Sequence, residues 1–282
     1  MKKIEVAVID SGNDPGGMMM FLAKLTQRGH NIKCMDDLLK LKESCVHPKA
    51  ETVQRVAALP HGTIKRFCPI TVAIVGASRR LLAQARTHQV GFHYVSASLQ
   101  YSDYSGAHDF VVPYAITEAD AKRTDHLADL GILGAVEHDK TLTDYYLDSC
   151  ADAMKTYEAI ATETDNDTAG YAAPQGLRNI LVIQGNHEAW MHFIRLRSCN
   201  RNTNETQYVT FRIWEELLKT ENGEDFFRYA GPDCMFGACR EGKMCCGKPL
   251  KSIEREARAL GIATPRHIIN TQWPLLQEAS NE

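Results

Sequence analysis

The stretch HEAWMHFIRLRSC, residues 187–199, sets Trp190, Phe193, Ile194 and Arg197 at i, i+3, i+4 and i+7. Those four positions share one face of a helix. Three of them are core side chains that demand a second layer of structure over them. The fourth is a permanent cation. Burying it alone costs several kcal/mol. A fold that accepts this helix must therefore bring Arg197 a carboxylate, a cluster of carbonyls or a bound anion, or let it reach the core's edge. A structural ion pair and a ligand contact both remain open on these residues alone. Asn186, His192 and Asn200 place further hydrogen-bonding groups close by in sequence.

Around this helix the chain reads as mixed α and β. IEVAVID (4–10) and ITVAIVG (70–76) are strand-like runs, and SRRLLAQAR (78–86) reads as a helix behind the second. Asp14-Pro15 is an N-cap and first-turn pair for a helix running to about Arg28 and closed by Gly29. Residues 35–44 and 50–59 read as short helices, the second stopped by Pro60-His61-Gly62. DFVVPYAI (109–116) reads as a strand ended by Pro113. Thr117-Glu118 opens a helical region to about Thr164, broken near Gly131-Gly134, and 164–176 is a loop by composition. RNILVIQGN (178–186) is a short buried strand or an apolar helical turn, which periodicity does not separate. A helix at 208–220, a Gly- and Cys-rich tail at 230–250 and a final helix near 252–260 complete the reading. No repeat or linker divides the chain, so one α+β domain over residues 1–282 is expected, its mixed or antiparallel sheet flanked by helices.

Composition narrows the partners. With 44% hydrophobic and 24% charged residues, 282 residues suffice for a sizeable core. A formal net charge of −3 argues against a dedicated nucleic-acid or anionic-membrane binder, whose footprint is basic. No run approaches the roughly 18 apolar residues of a membrane span, so a soluble, cytoplasmic protein is expected.

QARTHQVGFHYVSASLQYSDYS (84–105) directly follows the 70–76 strand and is dense in Gln, His, Ser and Tyr. So many hydrogen-bonding side chains in one place call for a polar ligand. GASRRLLAQARTHQVGFHYVSASLQYS (76–102) resembles the motif region of the flavin-dependent thymidylate synthases. In that family a helix bearing a glutamine leads to Arg-His-Arg and a serine-rich stretch closing in Ser-x-Arg-Tyr. GNHEAWMHFIRLRSCNRNTNETQ (185–207) is similar to the family's second segment, and HGTIKRFCPITVAIVG (61–76) to the segment preceding the first. The order and rough spacing agree from 61 to 248.

The resemblance implies an α+β homotetramer that binds FAD and takes electrons from NADPH. It implies transfer of the methylene of methylenetetrahydrofolate to C5 of dUMP, giving dTMP, with reduced flavin supplying hydride. Residue by residue, it places Gln84, Ser98, Gln100, Tyr101 and Arg197 against the pyrimidine nucleotide. Arg197 is the catalytic candidate, a cation that stabilises an anionic pyrimidine ring. Thr63, His88, Gln89, Asn186 and His192 fall at flavin-contacting positions.

This chain also departs from the family's pattern. Arg-His-Arg is Thr87-His88-Gln89, and the arginine of Ser-x-Arg-Tyr is Gln100. The segment from His88 to Tyr101 is one residue longer. Glu188 and Gly170 stand where arginines are usual, and Arg66-Phe67 replaces a Glu-His pair. Charged hydrogen bonds contribute roughly 1.5–3 kcal/mol each, so losing three from one site without compensation abolishes useful nucleotide affinity. The site is therefore rebuilt or lost. Arg79, Arg80, Arg86, Arg178, Arg195 and Arg201 lie near the motifs and are available, although an arginine in such a place is more often simply a solvated surface residue. Rebuilding is the preferred reading. Another pyrimidine nucleotide, hydroxymethyl transfer, or a non-catalytic nucleotide-binding paralogue are the alternatives.

Nine cysteines are present. Cys34, Cys45, Cys68, Cys150 and Cys199 are scattered beside apolar residues and read as buried free thiols. Cys234, Cys239, Cys245 and Cys246 cluster among glycines, and structural zinc favours such thiolate groups. Their spacing differs from the usual Cys-x2-Cys pairs, so reduced thiols and a zinc site are both expected outcomes.

Overall fold

The computed structural model of the protein describes residues 4–59, 62–130 and 140–278. β1 (Glu5–Asp10) leads to α1 (Pro15–Arg28), α2 (Met35–Glu43) and α3 (Ala50–Ala57). β2 (Pro69–Ser78) runs directly into α4 (Arg79–Ala85), and β3 (Phe92–Ser96) follows. Next come α5 (Tyr114–Leu130), α6 (Leu142–Glu163) and α7 (Asn166–Ala169). β4 (Arg178–Asn186) runs directly into α8 (His187–Arg197), followed by α9 (Asn204–Leu218) and α10 (Gly223–Phe227). The last elements are α11 (Asp233–Phe236), α12 (Lys251–Ala259), α13 (Thr264–Gln272) and α14 (Leu275–Glu278). The strands form one four-stranded antiparallel sheet, ordered β1-β2-β4-β3, with helices around it. This is the α+β class expected from the sequence.

Capping chemistry fixes the helix starts that matter for the site. Asp14 accepts from the Gly17 N–H at 2.8 Å with Pro15 in the first turn, and Gly29 closes α1. Ser78 caps α4 by accepting from Leu81 N, and Asn186 caps α8 by accepting from Ala189 N at 2.9 Å. Ser78 and Asn186 are each the last residue of a strand, so β2 and β4 hand over to helices without a loop.

Some expectations are corrected. The run 109–116 is not a strand: Phe110 alone bridges, to Leu177, and Tyr114 already opens α5. Pro113 lacks an N–H for a ladder and suits the start of a helix, which is why the β-branched run ends there. The 164–176 loop contains α7, capped by Asp165. The helix near 252–260 is not the last, since α13 follows with Pro265 in its first turn. RNILVIQGN is a strand, β4, not a helical turn. Cys34 is exposed and Cys199 only partly covered, whereas Cys45, Cys68 and Cys150 are buried free thiols. The stop at Pro60-His61 and the break near Gly131-Gly134 lie outside the described residues.

The chain packs as two compact units. The first comprises 1–5, 74–87 and 95–181, and its core is Phe110, Cys150, Met154, Tyr157 and Leu177 with neighbours from α6 and α7. The second comprises 6–73, 88–94 and 182–282, and its core holds Trp190, Trp214, Trp273, Phe211 and Phe227. Here α9 packs against α8, α10 and α13.

His187 is a polar group sealed into the second core. Its Nδ1 donates to Cys68 O at 2.8 Å, and its ring lies against Phe226 and Phe227 at centroid distances of 4.2 and 5.4 Å. Burial holds its pKa down to about 4. A depressed histidine favours the fold as the neutral ring, so this stability is complete above the unfolded pKa near 6.5 and lost as pH falls toward about 4. The urea midpoint of the chain is expected to fall across that window. A His187→Phe chain, less stable at neutral pH, is expected to fall less steeply; equal slopes in the two chains would refute the assignment.

Candidate functional site

In the first unit the polar stretch after β3 builds a small cavity. It has a volume of about 400 Å³, and its wall includes Arg79, Arg86, Ser96, Ser98, Gln175 and Asn179. Arg86 Nη2 donates to Ser96 Oγ at 2.5 Å, and Arg79 Nη1 donates to the Ala173 and Gly170 carbonyls at 3.2 and 3.4 Å. Ser98 Oγ accepts from the N–H groups of Gln100 and Tyr101 at 3.1 and 3.3 Å. That turn fixes the Ser98 oxygen and leaves its O–H to donate. Of the nucleotide candidates in this unit, Ser98 faces the cavity. Gln84 is half-buried on α4, while Gln100 and Tyr101 are exposed and outside the wall.

The remaining candidates belong to the second unit. Trp190, Phe193 and Ile194 are fully covered, as the helical stripe requires. Arg197, one turn beyond Phe193, is half-buried. Its Nε donates to His88 Nε2 at 2.7 Å and its Nη1 to Asn202 Oδ1 at 3.1 Å. An imidazole and a side-chain amide oxygen thus take up two of its N–H groups. Burial first, then the charges of Arg197 and His192, pushes the His88 pKa down to about 4. His88 is therefore neutral near pH 7, and its Nε2 must be the acceptor. Tyr94 O–H donates to the His88 carbonyl at 2.6 Å, and the His88 ring stands edge-on to Phe193 at 5.0 Å. The outcome is a guanidinium whose orientation is set by a neutral histidine.

Gly91 brings this loop onto α8. Its φ is +78°, and a Cβ there would lie 3.1 Å from both Ala189 Cβ and Asn186 Nδ2. His192 lies 6.1 Å from His88 by ring centroids. Thr63 and Gln89 are exposed. His192 also faces a larger cavity of about 730 Å³, walled by Lys65, Glu188, Arg195, Arg240 and the glycines Gly62 and Gly231. Glu188 pairs with Arg66, and Arg240 Nε lies 3.7 Å from Asp233. Lys65 is half-buried, which lowers its pKa. Lys65, Tyr94 and Asn202 are site residues that the sequence reading missed: Tyr94 and Asn202 lie six and five residues from His88 and Arg197, which they contact, whereas Lys65 joins its cavity through segments distant along the chain.

The tail thiols gather in one neighbourhood. Cys239 hydrogen-bonds Cys245, and Cys234 lies within electrostatic reach of Cys246 and of Cys199. Backbone N–H groups of Gly247 and Lys248 point at the sulfurs of Cys245 and Cys246, at 3.5 and 3.4 Å. The Gly247 N–H holds the Cys245 thiol below its ordinary pKa, toward the thiolate that binds zinc, while burial pushes the Cys234 thiol up. Among the described residues, three donor atoms within 4.8 Å of one another occur not in the tail but at Asp14, His47 and Glu221. There His47 Nδ1 sits 3.5 Å from Glu221 Oε1 and 4.0 Å from Asp14 Oδ1. No helix among the described residues is long and apolar enough to cross a membrane.

The fold and the sequence find counterparts among known proteins. The crystal structure of thymidylate synthase X from Helicobacter pylori with FAD and dUMP superposes with a TM-score of 0.54 at 15% identity, covering 81% of this chain and 99% of that one. PolB from Streptomyces cacaoi, described as a UMP/dUMP methylase and bound with 5-Br dUMP, superposes with a TM-score of 0.54 at 14% identity, covering 80% and 95%. In sequence, the flavin-dependent thymidylate synthase of Geobacter sulfurreducens is 25% identical over 263 residues, 92% of this chain and all of its own length. That of Pyrococcus abyssi is 25% identical over 194 residues, 67% of this chain and 72% of its own. The model of the thymidylate synthase complementing protein family, Thy1, matches residues 7–220, and the chain belongs to that family.

Proposed function

We propose that this chain transfers the methylene carbon of methylenetetrahydrofolate to C5 of dUMP, giving dTMP, with reduced FAD as hydride donor and NADPH as the reductant of the flavin. Family membership supports the reaction class. The observation that carries the reading to particular residues is the pair Arg197–His88, a guanidinium aimed by a neutral imidazole at 2.7 Å. C5 becomes a nucleophile when the pyrimidine ring carries negative charge, which spreads over its N3–C4 edge as well as C5. A fixed guanidinium stabilises that charge without reorganising, and partial burial strengthens the effect. His88, neutral near pH 7, positions the cation through its unprotonated Nε2.

The residues present fit a flavin. The 730 Å³ cavity carries Lys65, Arg195 and Arg240 against Glu188 and Asp233, a cationic excess that suits an anionic dinucleotide. Lys65 and Arg195 would hold the diphosphate, with His192 beside them. Flavin, when bound there, supplies the hydride. The chain's own part is to bind and to orient the nucleotide against Arg197. A homotetramer is part of the proposal, with Val90, Tyr101 and Tyr171, each more than 80% exposed, as apolar side chains for subunit contacts.

The test is direct. Purified protein is expected to be yellow, with flavin absorbance that survives desalting, and to form dTMP from dUMP. Colourless protein that also fails to bind added FAD would overturn the enzyme reading in favour of a nucleotide-binding paralogue. Thr87, Gln89 and Gln100 in place of arginines favour a second reading, a different pyrimidine nucleotide. One of the similar folds acts on UMP as well as dUMP, so UMP and dCMP are assayed beside dUMP.

A further inference from the structure

A nucleotide phosphate needs cations, and the positions that carry arginine in the resembled motif are Thr87, Gln89 and Gln100 here. The structure sorts the arginines near the motif in the first unit. Arg178 is committed to Asp109, with Nε 2.9 Å from Oδ1. Arg80 is exposed and outside the cavity wall. Arg79 and Arg86 remain, and both line the 400 Å³ cavity, seven residues apart on the α4 side.

Three observations mark this cavity as an anion site. No acidic side chain lies in its wall. Among the described residues, neither Arg79 nor Arg86 meets a carboxylate: Arg79 donates to two carbonyls and Arg86 to one hydroxyl. Burial lowers the Arg79 pKa, with only the Tyr104 phenol acting against it, so its charge is held in a partly desolvated place without a counter-ion. Ser98, fixed by the turn at Gln100 and Tyr101, adds an O–H donor, and Ser96 is already drawn toward Arg86. Two guanidinium groups with two hydroxyls, and no acid, form a donor set for a phosphate dianion.

We propose that Arg86 and Arg79 hold the monophosphate of the pyrimidine nucleotide, with Ser96 and Ser98 as hydroxyl donors, in place of the arginines missing at 87, 89 and 100. The inference rests on the nucleotide reading above for the identity of the ligand, and it concerns the phosphate site within the first unit alone. It makes recognition of a monophosphate, as against a nucleoside, the work of α4 and of the serines after β3.

Calorimetric titration of the full flavin-loaded chain with dUMP and with deoxyuridine tests this. Wild type is expected to bind dUMP at least tenfold more tightly than deoxyuridine. Arg86→Ala, which sacrifices a single exposed contact to Ser96, is expected to weaken dUMP about ten- to hundredfold while leaving deoxyuridine unchanged. Arg86→Lys should recover part of the loss. Arg79→Lys keeps a charge but loses the fork that spans two carbonyls, and its thermal melt separates misfolding from lost binding. Wild-type dUMP affinity in a folded Arg86→Ala chain would overturn the clamp and leave the function standing. A wild-type chain that binds flavin but neither dUMP, UMP nor dCMP would overturn both.

Discussion

Replacing Arg197 with alanine is expected to lower kcat/KM for the nucleotide by about 100- to 1000-fold, the range seen when one fixed electrostatic donor is removed from a transition state. The flavin absorbance should stay. The reason lies in what the contact with His88 fixes. The imidazole is neutral near pH 7, since burial and two neighbouring groups hold its pKa down to about 4. It therefore accepts from Arg197 Nε and sets the plane of the guanidinium without cancelling its charge. Alanine removes that charge, and added guanidinium ion should restore part of the rate. A merely structural arginine would give no such rescue. Arg197→Lys is expected to fall between the two, because a lysine ammonium lacks the planar fork. A His88→Ala chain keeps the cation but loses its orientation, so a smaller drop is expected, concentrated in kcat. Unaltered turnover in Arg197→Ala would end the catalytic role.

How much of this is legible in the sequence depends on how local the determinant is. Trp190, Phe193 and Ile194 read as one buried face because helical spacing alone groups them, and all three are covered. The caps Asp14, Ser78 and Asn186 act over three residues and are equally local. The run 109–116 misleads for a related reason. Its β-branched and aromatic residues suit a strand, yet a strand needs a neighbour, and only Phe110 finds one, in Leu177. Pro265, in the first turn of α13, is a usable local signal for a helix beyond 252–260. The partner of Arg197 lies beyond any local rule. His88 is 109 residues away, and the resemblance places it against flavin, not against Arg197. The anion cavity is similar: Arg79 and Arg86 are two of six available arginines until the contacts of Arg178 and the makeup of the wall separate them.

Trp190→Ala is expected to cost the largest share of stability of any single change on α8. The side chain is fully buried, its Nε1 donates to Ile70 O at 3.1 Å, and it meets Phe92 edge-on at 4.9 Å and Phe193 at 5.8 Å. Truncating a buried aromatic to alanine costs about 3–5 kcal/mol through lost burial and the cavity left behind. The Ile70 carbonyl also loses its side-chain donor, a further cost of about 1 kcal/mol. Against a total stability of roughly 5–15 kcal/mol, that leaves a chain at or near unfolding at 37 °C, read as a collapse of the urea midpoint. Trp190→Phe separates the two contributions. It keeps a ring against Phe92 and Phe193 and loses only the N–H and part of the volume, so a drop of about 1–2 kcal/mol is expected. Because Arg197 sits two turns along the same face, the phenylalanine chain should retain most of its turnover once folded. A Trp190→Ala chain with a near wild-type midpoint would mean that β2 and α8 are held together by something other than this ring.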